Sequence, residues 1–440
     1  MAAKRYFVQT FGCRVNQADS AGLAAELDGA DMERTASWRD ADVVVLNTCT
    51  VTHRSDADVR KSVNRLRREN PDARVVVTGC YAQRAPEELV QLQGVSAVVG
   101  NAHKRALPQV VGQVANRVAD ATPLTIHTPM GKRDPVELPP VEPVTTVLDR
   151  TRPFVKIQDG CDAHCTYCII PEVRGRARSA PPDRVIDAVK KLVDDGWTEI
   201  VLAGVHLGTY VGGPERASLV DLVRRVLAVP GLLQLRLSCI EPMAFPLGLI
   251  DLAAEDPRLA PHFHLPLQAG DDDVLKRMVR PYRTSEYLEL LTQIRDRIPH
   301  ACLGTDVIVG FPGETDAQFE NTCQFVADSP LNYVHVFSYS DRSGTPATRL
   351  DGKVDPRIIK LRSNALHAVS RQMWHRYLDA QVGRRLRALT LEPDRRHPDH
   401  VRALTPNFCA VRVEGQMPPN RLIEVMIDAR VDEGLVGHAA

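Results

Sequence analysis

The chain has 440 residues, 44% of them hydrophobic and 25% charged, the balance of a globular protein long enough for two or three domains with cores of their own. Its 55 basic and 55 acidic side chains cancel, so no global charge announces a polyanionic partner, and any nucleic-acid surface must be a local patch. The N-terminus lacks a secretory pattern and no run approaches the roughly 18 apolar residues of a membrane span, so a cytoplasmic protein without a membrane partner is expected.

Residues 1–115 alternate short β-branched runs with helical patterns. Strands are predicted over 5–10, 42–47 and 74–78, and helices over 19–27, 56–68 and 86–92. Such alternation builds a parallel sheet with helices on its faces, and all its strands end at one edge. Residues 116–153 carry Pro123, Pro129, Pro135, Pro139, Pro140 and Pro143 and read as an extended linker. Residues 154–380 alternate again. Strands are predicted over 154–157, 199–202, 234–238, 262–265, 303–309 and 333–337, with helices over 183–193, 218–227, 287–298 and 316–327. Six repeats of this kind make a partial or complete β/α barrel whose working face is the C-terminal end of its strands. Residues 381–440 shift to short alternating runs (385–391, 410–413, 423–427) punctuated by Gly383, Gly415 and Gly434, the pattern of a small all-β barrel. The expected fold class is therefore α/β, with a terminal β module.

Ten cysteines in a protein of this size and compartment point to metal or redox chemistry rather than structural disulfides. Cys161, Cys165 and Cys168 form a C-x3-C-x2-C loop directly after the first barrel strand. Three thiolates within eight residues suit one soft centre: an iron–sulfur cluster with an open iron, or zinc with His164 as a fourth ligand. A second set, Cys13, Cys49 and Cys80, is spread along the chain, yet each member follows a predicted strand. A shared parallel sheet brings all three to one rim, where open α/β sheets bind ligands. Cys239 ends a barrel strand and reads as core or as a neighbour of the site. Cys302, Cys323 and Cys409 lie in apolar patterns and read as core.

The C-x3-C-x2-C loop with Tyr167 before its last cysteine, opening a β/α barrel, resembles the radical S-adenosylmethionine (SAM) superfamily. The segments Phe11-Gly-Cys-Arg-Val-Asn16, Asn47-Thr-Cys-Thr-Val-Thr52 and Gly79-Cys-Tyr-Ala-Gln83 resemble the N-terminal domain of its methylthiotransferase family. Domain order agrees along the whole chain, the last block being similar to a TRAM domain, an RNA-binding barrel. The resemblance implies two [4Fe–4S] clusters, one on Cys161, Cys165 and Cys168 with SAM at its open iron, and an auxiliary one on Cys13, Cys49 and Cys80 presenting sulfur. One SAM would give a methyl group and a second a radical, which suits a reaction that replaces an unactivated aromatic C–H and leaves no task for a side-chain base. Gly12-Cys-Arg-Val-Asn16 is most similar to the group acting on N6-threonylcarbamoyladenosine at tRNA position 37, at adenine C2. The sister groups act on isopentenyladenosine in tRNA and on a ribosomal-protein aspartate. Implied partners are tRNA, a flavodoxin- or ferredoxin-type electron donor and a sulfur donor. A zinc-bearing RNA-binding scaffold is the alternative outside enzymology.

The barrel strands run into Gly204, His206, Ser238, Glu241, Gln268, Asp306, Ser338 and Tyr339, candidates by position for holding SAM or substrate. Tyr167, Gly204 and Gln268 are the expected SAM contacts, Gly204 because a glycine permits close backbone approach. Asp306 opens the stretch to Glu314 that resembles the segment packing on the adenosyl end. His264 reads as a satisfied core group. Arg174, Arg176 and Arg178 follow the cluster loop and read either as phosphate contacts or as a solvated basic loop. Arg60, Lys61, Arg65, Arg67 and Arg68 make a basic helix face that reads mainly as solvated. Ser340-Asp-Arg-Ser-Gly-Thr345 departs from a more proline-rich family pattern.

Overall fold

Val43 to Leu46 and Val75 to Val77 are apolar at every position, so strands made from them must be covered on both faces. That is the arrangement in the computed structural model of the protein, which describes residues 4–116, 122–130, 140–148 and 152–440. Six parallel strands, β1 (Arg5–Thr10), β2 (Glu33–Arg34), β3 (Val43–Thr48), β4 (Arg74–Gly79), β5 (Val95–Val99) and β6 (Leu124–Ile126), form one sheet in the order β2-β1-β3-β4-β5-β6. Helices α1 (Arg14–Asp28) and α5 (Leu107–Ala115) cover the face bearing Val43, Val45 and Val76. Helices α2 (His53–Glu69), α3 (Cys80–Arg84) and α4 (Pro86–Val90) cover the face bearing Val44, Leu46, Val75 and Val77.

β2, β5 and α5 are not among the predicted elements, and two further features depart from the sequence reading. Helix α1 begins at Arg14 rather than 19, because the polar Asn16 and Ser20 that interrupt its apolar period are buried and bonded: Asn16 Nδ2 donates to the Phe11 carbonyl (2.8 Å), and Asn47 Nδ2 to Ser20 Oγ (3.0 Å). Residues 124–126, inside the expected linker, are extended but paired, with Leu124 opposite Ala97. Three parts of that linker, 117–121, 131–139 and 149–151, lie outside the described residues, Pro135 and Pro139 included.

The next unit is an arc of parallel strands. β7 (Phe154–Lys156), β10 (Glu199–Ala203) and β13 (Gln234–Leu237) form one sheet; β14 (His262–His264), β15 (Cys302–Val309) and β16 (Tyr333–Ser338) form another. A Leu235–Leu259 bridge and the Ile240 amide on the His264 carbonyl (3.0 Å) join them. Two short antiparallel ladders, β8 (Gln158–Asp159) with β9 (Arg178–Ser179) and β11 (Val211–Gly212) with β12 (Ala217–Ser218), decorate the loops. The helices are α6 (Ile170–Arg174), α7 (Pro182–Asp194), α8 (Leu219–Leu227), α9 (Gly248–Glu255), α10 (Asp272–Arg277), α11 (Thr284–Arg297), α12 (Asp316–Asp328) and α13 (Pro356–Asp379). Helix α8 shows how they form: Ser218 and Asp221 close a capping box, and Leu219, Leu222, Val223 and Val226 fall on one buried stripe. The arc is a partial barrel: β7 and β16 do not pair, and α1 of the first unit packs against β7.

The last unit is a closed barrel, β17 (Arg385–Pro393), β18 (His400–Leu404), β19 (Ala410–Glu414), β20 (Leu422–Val431) and β21 (Gly434–Ala439), in the order β17-β18-β19-β21-β20. Its 405–409 loop plugs the N-terminal end of the arc. Phe408 stacks on His262 with ring centroids 4.0 Å apart, and the fully buried Arg236 pairs with Glu199 (2.9 Å) while donating to the carbonyls of Thr405 and Pro406 (3.2 and 3.0 Å). The opposite, C-terminal end of the strands is left for the site. Among the described residues, no helix is long and apolar enough to cross a membrane.

Candidate functional site

The two cysteine trios sit where strands stop. Cys13, Cys49 and Cys80 follow β1, β3 and β4, which are neighbours in the sheet. Gly12 (φ +87°) and Gly79 (φ +95°) turn the chain just before two of them. A Cβ on Gly12 would lie 2.8 Å from Cys49 Sγ, which shows how closely the first two loops approach. Asn16 stitches them further, its Nδ2 donating to the carbonyls of Phe11 and Thr48 (2.8 and 3.0 Å). Asn101 Nδ2 reaches Cys80 Sγ (3.7 Å) while donating to the Val173 carbonyl of α6 (2.7 Å). Cys13 is exposed, whereas Cys49 and Cys80 are buried.

Cys161, Cys165 and Cys168 lie on the loop between β8 and α6. The loop is pinned to the arc by the Thr166 amide on the Met278 carbonyl (3.1 Å) and by the Ala347 amide on the Thr166 carbonyl (2.9 Å). Arg280 Nη1 donates to Cys165 Sγ (3.3 Å); its other nitrogens hold Glu241, Tyr282 Oη (2.9 Å) and the Pro266 carbonyl (3.2 Å). Burial pushes Cys161 up to about 11, and burial with the Cys165 thiolate beside it pushes Cys168 up to about 12; Cys49 is raised to about 12 by burial and by Cys80. Grouped thiols this reluctant to ionise need a cation among them before they can all be thiolates. The donor set therefore fits a cationic, thiophilic centre at each trio.

The two cysteine-bearing units meet beside Cys80 and the Cys168 loop. Helix α6 starts two residues after Cys168, and its Val173, with Ile169, packs on Cys80. Between the units lies a cavity of about 170 Å³ bounded by Val51 and Thr52 on one side and by Tyr167, Cys168, Gln268 and Asp306 on the other. Tyr167 and Gln268 thus meet as expected candidates at one cleft. Gln268 holds φ +73°, uncommon for a side-chain-bearing residue, and is clamped by the backbone of β15: its amide donates to Asp306 (2.8 Å) and its carbonyl accepts from Ile308 (2.9 Å). Gly204 lies outside this cavity lining. Its close approach is to the chain itself, since a Cβ there would meet Leu207 at 2.7 Å and Gln158 at 3.0 Å; its amide donates to Ser238 Oγ (3.3 Å). His206 is buried with its amide on Gln158 Oε1 (2.8 Å).

His264 is buried and satisfied, bonded to Tyr333 Oη (3.0 Å) and Asp306 Oδ1 (2.8 Å), with His335 Nδ1 3.3 Å from the same carboxylate oxygen. Burial opposes ionisation of Asp306, but the two histidines win and hold its carboxyl well below the usual range. Cys239 is half-buried; burial, with Asp306 nearby, pushes it up to about 12. Cys302 and Cys409 are fully buried, and Cys323 packs at the edge of the arc's core.

Of the three arginines after the cluster loop, only Arg176 is an exposed basic group, its side chain 87% accessible. Arg174 is 2% accessible and neither solvated nor free for phosphate, because it pairs with Asp159 and Asp19 in the interface. The basic face of α2 is largely solvated, with Arg65 on Glu69 (2.7 Å) and Lys61 near Asp58 (3.8 Å). Segment 340–345 docks on the first unit: Ser340 Oγ accepts from the His53 amide (3.2 Å), and buried Arg342 pairs with Asp56 (2.5 Å), which also accepts from Arg84 (3.2 Å) and Thr50 (2.6 Å). Sequence reasoning missed Arg280, Asn101 and Arg342. Only Arg280 carried a local signal, a charge inside the otherwise apolar and aromatic 278–282.

An arc of six parallel strands with a C-x3-C-x2-C loop after its first strand defines a radical SAM enzyme, a class whose members hold SAM and a [4Fe–4S] cluster. Residues 155–326 match the radical SAM superfamily, and residues 5–100 match an uncharacterized protein family, UPF0004. The fold alone is shared with the radical SAM methyltransferase TsrM of Kitasatospora setae (TM-score 0.56, 15% identity, 78% of this chain and 74% of that one). Threonylcarbamoyladenosine tRNA methylthiotransferase MtaB of Aquifex aeolicus is 35% identical over 95% of this chain and 99% of its own length. The protein of that name from Bacillus subtilis is 36% identical over 84% and 80%. A tRNA-2-methylthio-N(6)-dimethylallyladenosine synthase of Paraburkholderia phymatum is 34% identical over 97% and 94%. The chain belongs to the radical SAM methylthiotransferase family.

Proposed function

We propose that this protein inserts a methylthio group at C2 of N6-threonylcarbamoyladenosine in tRNA, with one [4Fe–4S] cluster on Cys161, Cys165 and Cys168 and a second on Cys13, Cys49 and Cys80. The observation that carries the reading is that each cysteine trio gathers beyond strand ends and that the two units meet beside them, Cys80 packing on Ile169 and Val173 and Cys168 lining the cleft between the units. With SAM bound, the clusters supply radical and sulfur-transfer chemistry, fed by an outside one-electron donor of flavodoxin or ferredoxin type and by a sulfur donor.

The side chains bind and position. Arg280 neutralises charge beside Cys165 and fixes Glu241 at the mouth. Tyr167 and the clamped Gln268 shape the cleft for SAM, and the docked segment 340–345 closes it against the first unit. Asp306, ionised and braced by two histidines, offers a fixed acceptor. No side chain acts as acid or base.

The threonylcarbamoyl substituent carries a carboxylate and a hydroxyl, whereas an isopentenyl group is apolar. Arg14 opens α1 directly after Cys13 and has no ion-pair partner among the described residues. A free cation beside the auxiliary trio suits the former substituent. Mass spectrometry of tRNA nucleosides from a strain lacking the protein tests this. The expected result is loss of 2-methylthio-N6-threonylcarbamoyladenosine with the isopentenyl product intact. The reverse pattern assigns the isopentenyl substrate, and an unchanged profile overturns the tRNA reading.

A further inference from the structure

Arg174 ends α6, six residues after Cys168, and its side chain is buried between the two cysteine-bearing units. Nη1 donates to Asp159 Oδ1 (2.7 Å); Nη2 donates to Asn16 Oδ1 and to Asp19 Oδ2 (3.1 Å). Asn16 is the residue that stitches the Cys13 and Cys49 loops together. The third nitrogen, Nε, is buried with no acceptor. A guanidinium N–H left without an acceptor in a buried site is destabilising, so a partner belongs there. The auxiliary trio adjoins it: Val173, the preceding residue, packs on Cys80, and Asn16, which Nη2 reaches, ties the Cys13 and Cys49 loops together.

Charge balance points the same way. Asp19 pairs with Lys104, Lys156 and Arg174, and Asp159 pairs with Lys156, Arg174 and Arg178. Two carboxylates thus face four cations in a network whose side chains are all at most 23% accessible. A buried surplus of two positive charges is costly unless an anion lies beside it. A cubane carrying three thiolates is anionic and becomes more so on reduction.

We propose that Arg174 donates its Nε–H to a sulfur of the auxiliary cluster and, with the cations around it, raises that cluster's reduction potential. It is a positioning and tuning residue that ties the SAM-side helix to the auxiliary centre. Hydrogen bonds to sulfur and nearby positive charge both favour the reduced cluster. This rests on the two-cluster reading above.

The test uses the full chain with Cys161, Cys165 and Cys168 replaced by alanine, reconstituted without oxygen and titrated electrochemically with EPR detection. Alongside it, the unmodified protein is assayed for iron. Arg174→Met, which removes both charge and Nε–H at similar length, is expected to shift the reduction equilibrium of the remaining cluster at least tenfold toward the oxidised form, about 59 mV for one electron. Arg174→Lys, which keeps the charge but moves the donor from the ε to the ζ position, is expected to fall between. Equal potentials in all three overturn the proposal; a lysine variant indistinguishable from the parent removes the role of the Nε–H. Should the methionine variant not take up iron, the lysine variant decides alone by the same criterion. Failure of the two-cluster reading looks different: the unmodified protein would hold about four irons, and the triple-alanine chain none.

Discussion

On the two-cluster reading proposed above, replacing Gly79 by alanine is expected to remove the auxiliary cluster and spare the other. Gly79 sits at φ +95°, and a Cβ built on it lies 2.4 Å from the Thr48 carbonyl oxygen, 2.5 Å from the Thr48 nitrogen and 2.7 Å from Asn47 Oδ1. The left-handed backbone costs an alanine about 1–2 kcal/mol, and forcing a methyl group into packed space adds about 1–3 kcal/mol. The neighbour cannot yield cheaply, because Thr48 is in direct register with Gly79 and its Oγ1 donates to the Thr78 carbonyl (2.5 Å). The strain, about 2–5 kcal/mol in all, is relieved by spreading the ends of β3 and β4, and the next residue on each strand is a cysteine of the same trio. Iron in the anaerobically reconstituted protein should fall from about eight to about four per chain. Reductive cleavage of SAM should survive while methylthio transfer is lost. A variant that keeps eight irons and full transfer would refute the argument that this glycine sets the Cys49–Cys80 spacing.

Arg236→Ala leaves Glu199 with Arg152 alone (3.3 Å) and frees the 405–409 loop; breaking a buried pair costs up to about 3–5 kcal/mol, less here because one cation remains. Limited proteolysis near 380–384 should accelerate, and an unchanged digest would count against the plug. Arg342→Ala leaves Asp56 with Arg84 as its only guanidinium, so hydrogen exchange in 49–56 should rise with little change in 385–439. For pH, burial holds Cys161 at about 11 and Cys49 and Cys168 at about 12, above the ordinary thiol value of 9.0. Thiols raised on folding stabilise the iron-free protein fully below pH 9, and that contribution is lost as pH climbs toward 11–12. The urea midpoint of iron-free protein should fall across that window more steeply than that of Cys161→Ser/Cys168→Ser, and equal slopes would contradict the burial argument.

The order of sheet, arc and barrel, and the placing of two cysteine trios beyond strand ends, were legible along the chain. Cys161, Cys165 and Cys168 are a local pattern, and strand–helix alternation places Cys13, Cys49 and Cys80 on one rim because parallel strands share a direction. The sequence also marked the six arc strands within a residue or two, since continuous apolar runs of strand length survive in any context. What surrounds those cysteines came from contacts between distant segments. Arg174 looked like part of a basic loop, yet partners more than a hundred residues away, Asn16 and Asp19, turn it into a buried link between trios. Arg342 meets Asp56 across 286 positions, and Phe408 closes the far end of the arc on His262. Charge and burial at such positions are properties of pairings between distant segments. A chain read in windows of one helix or strand carries the periodicity of each element but not the identity of what will be packed against it.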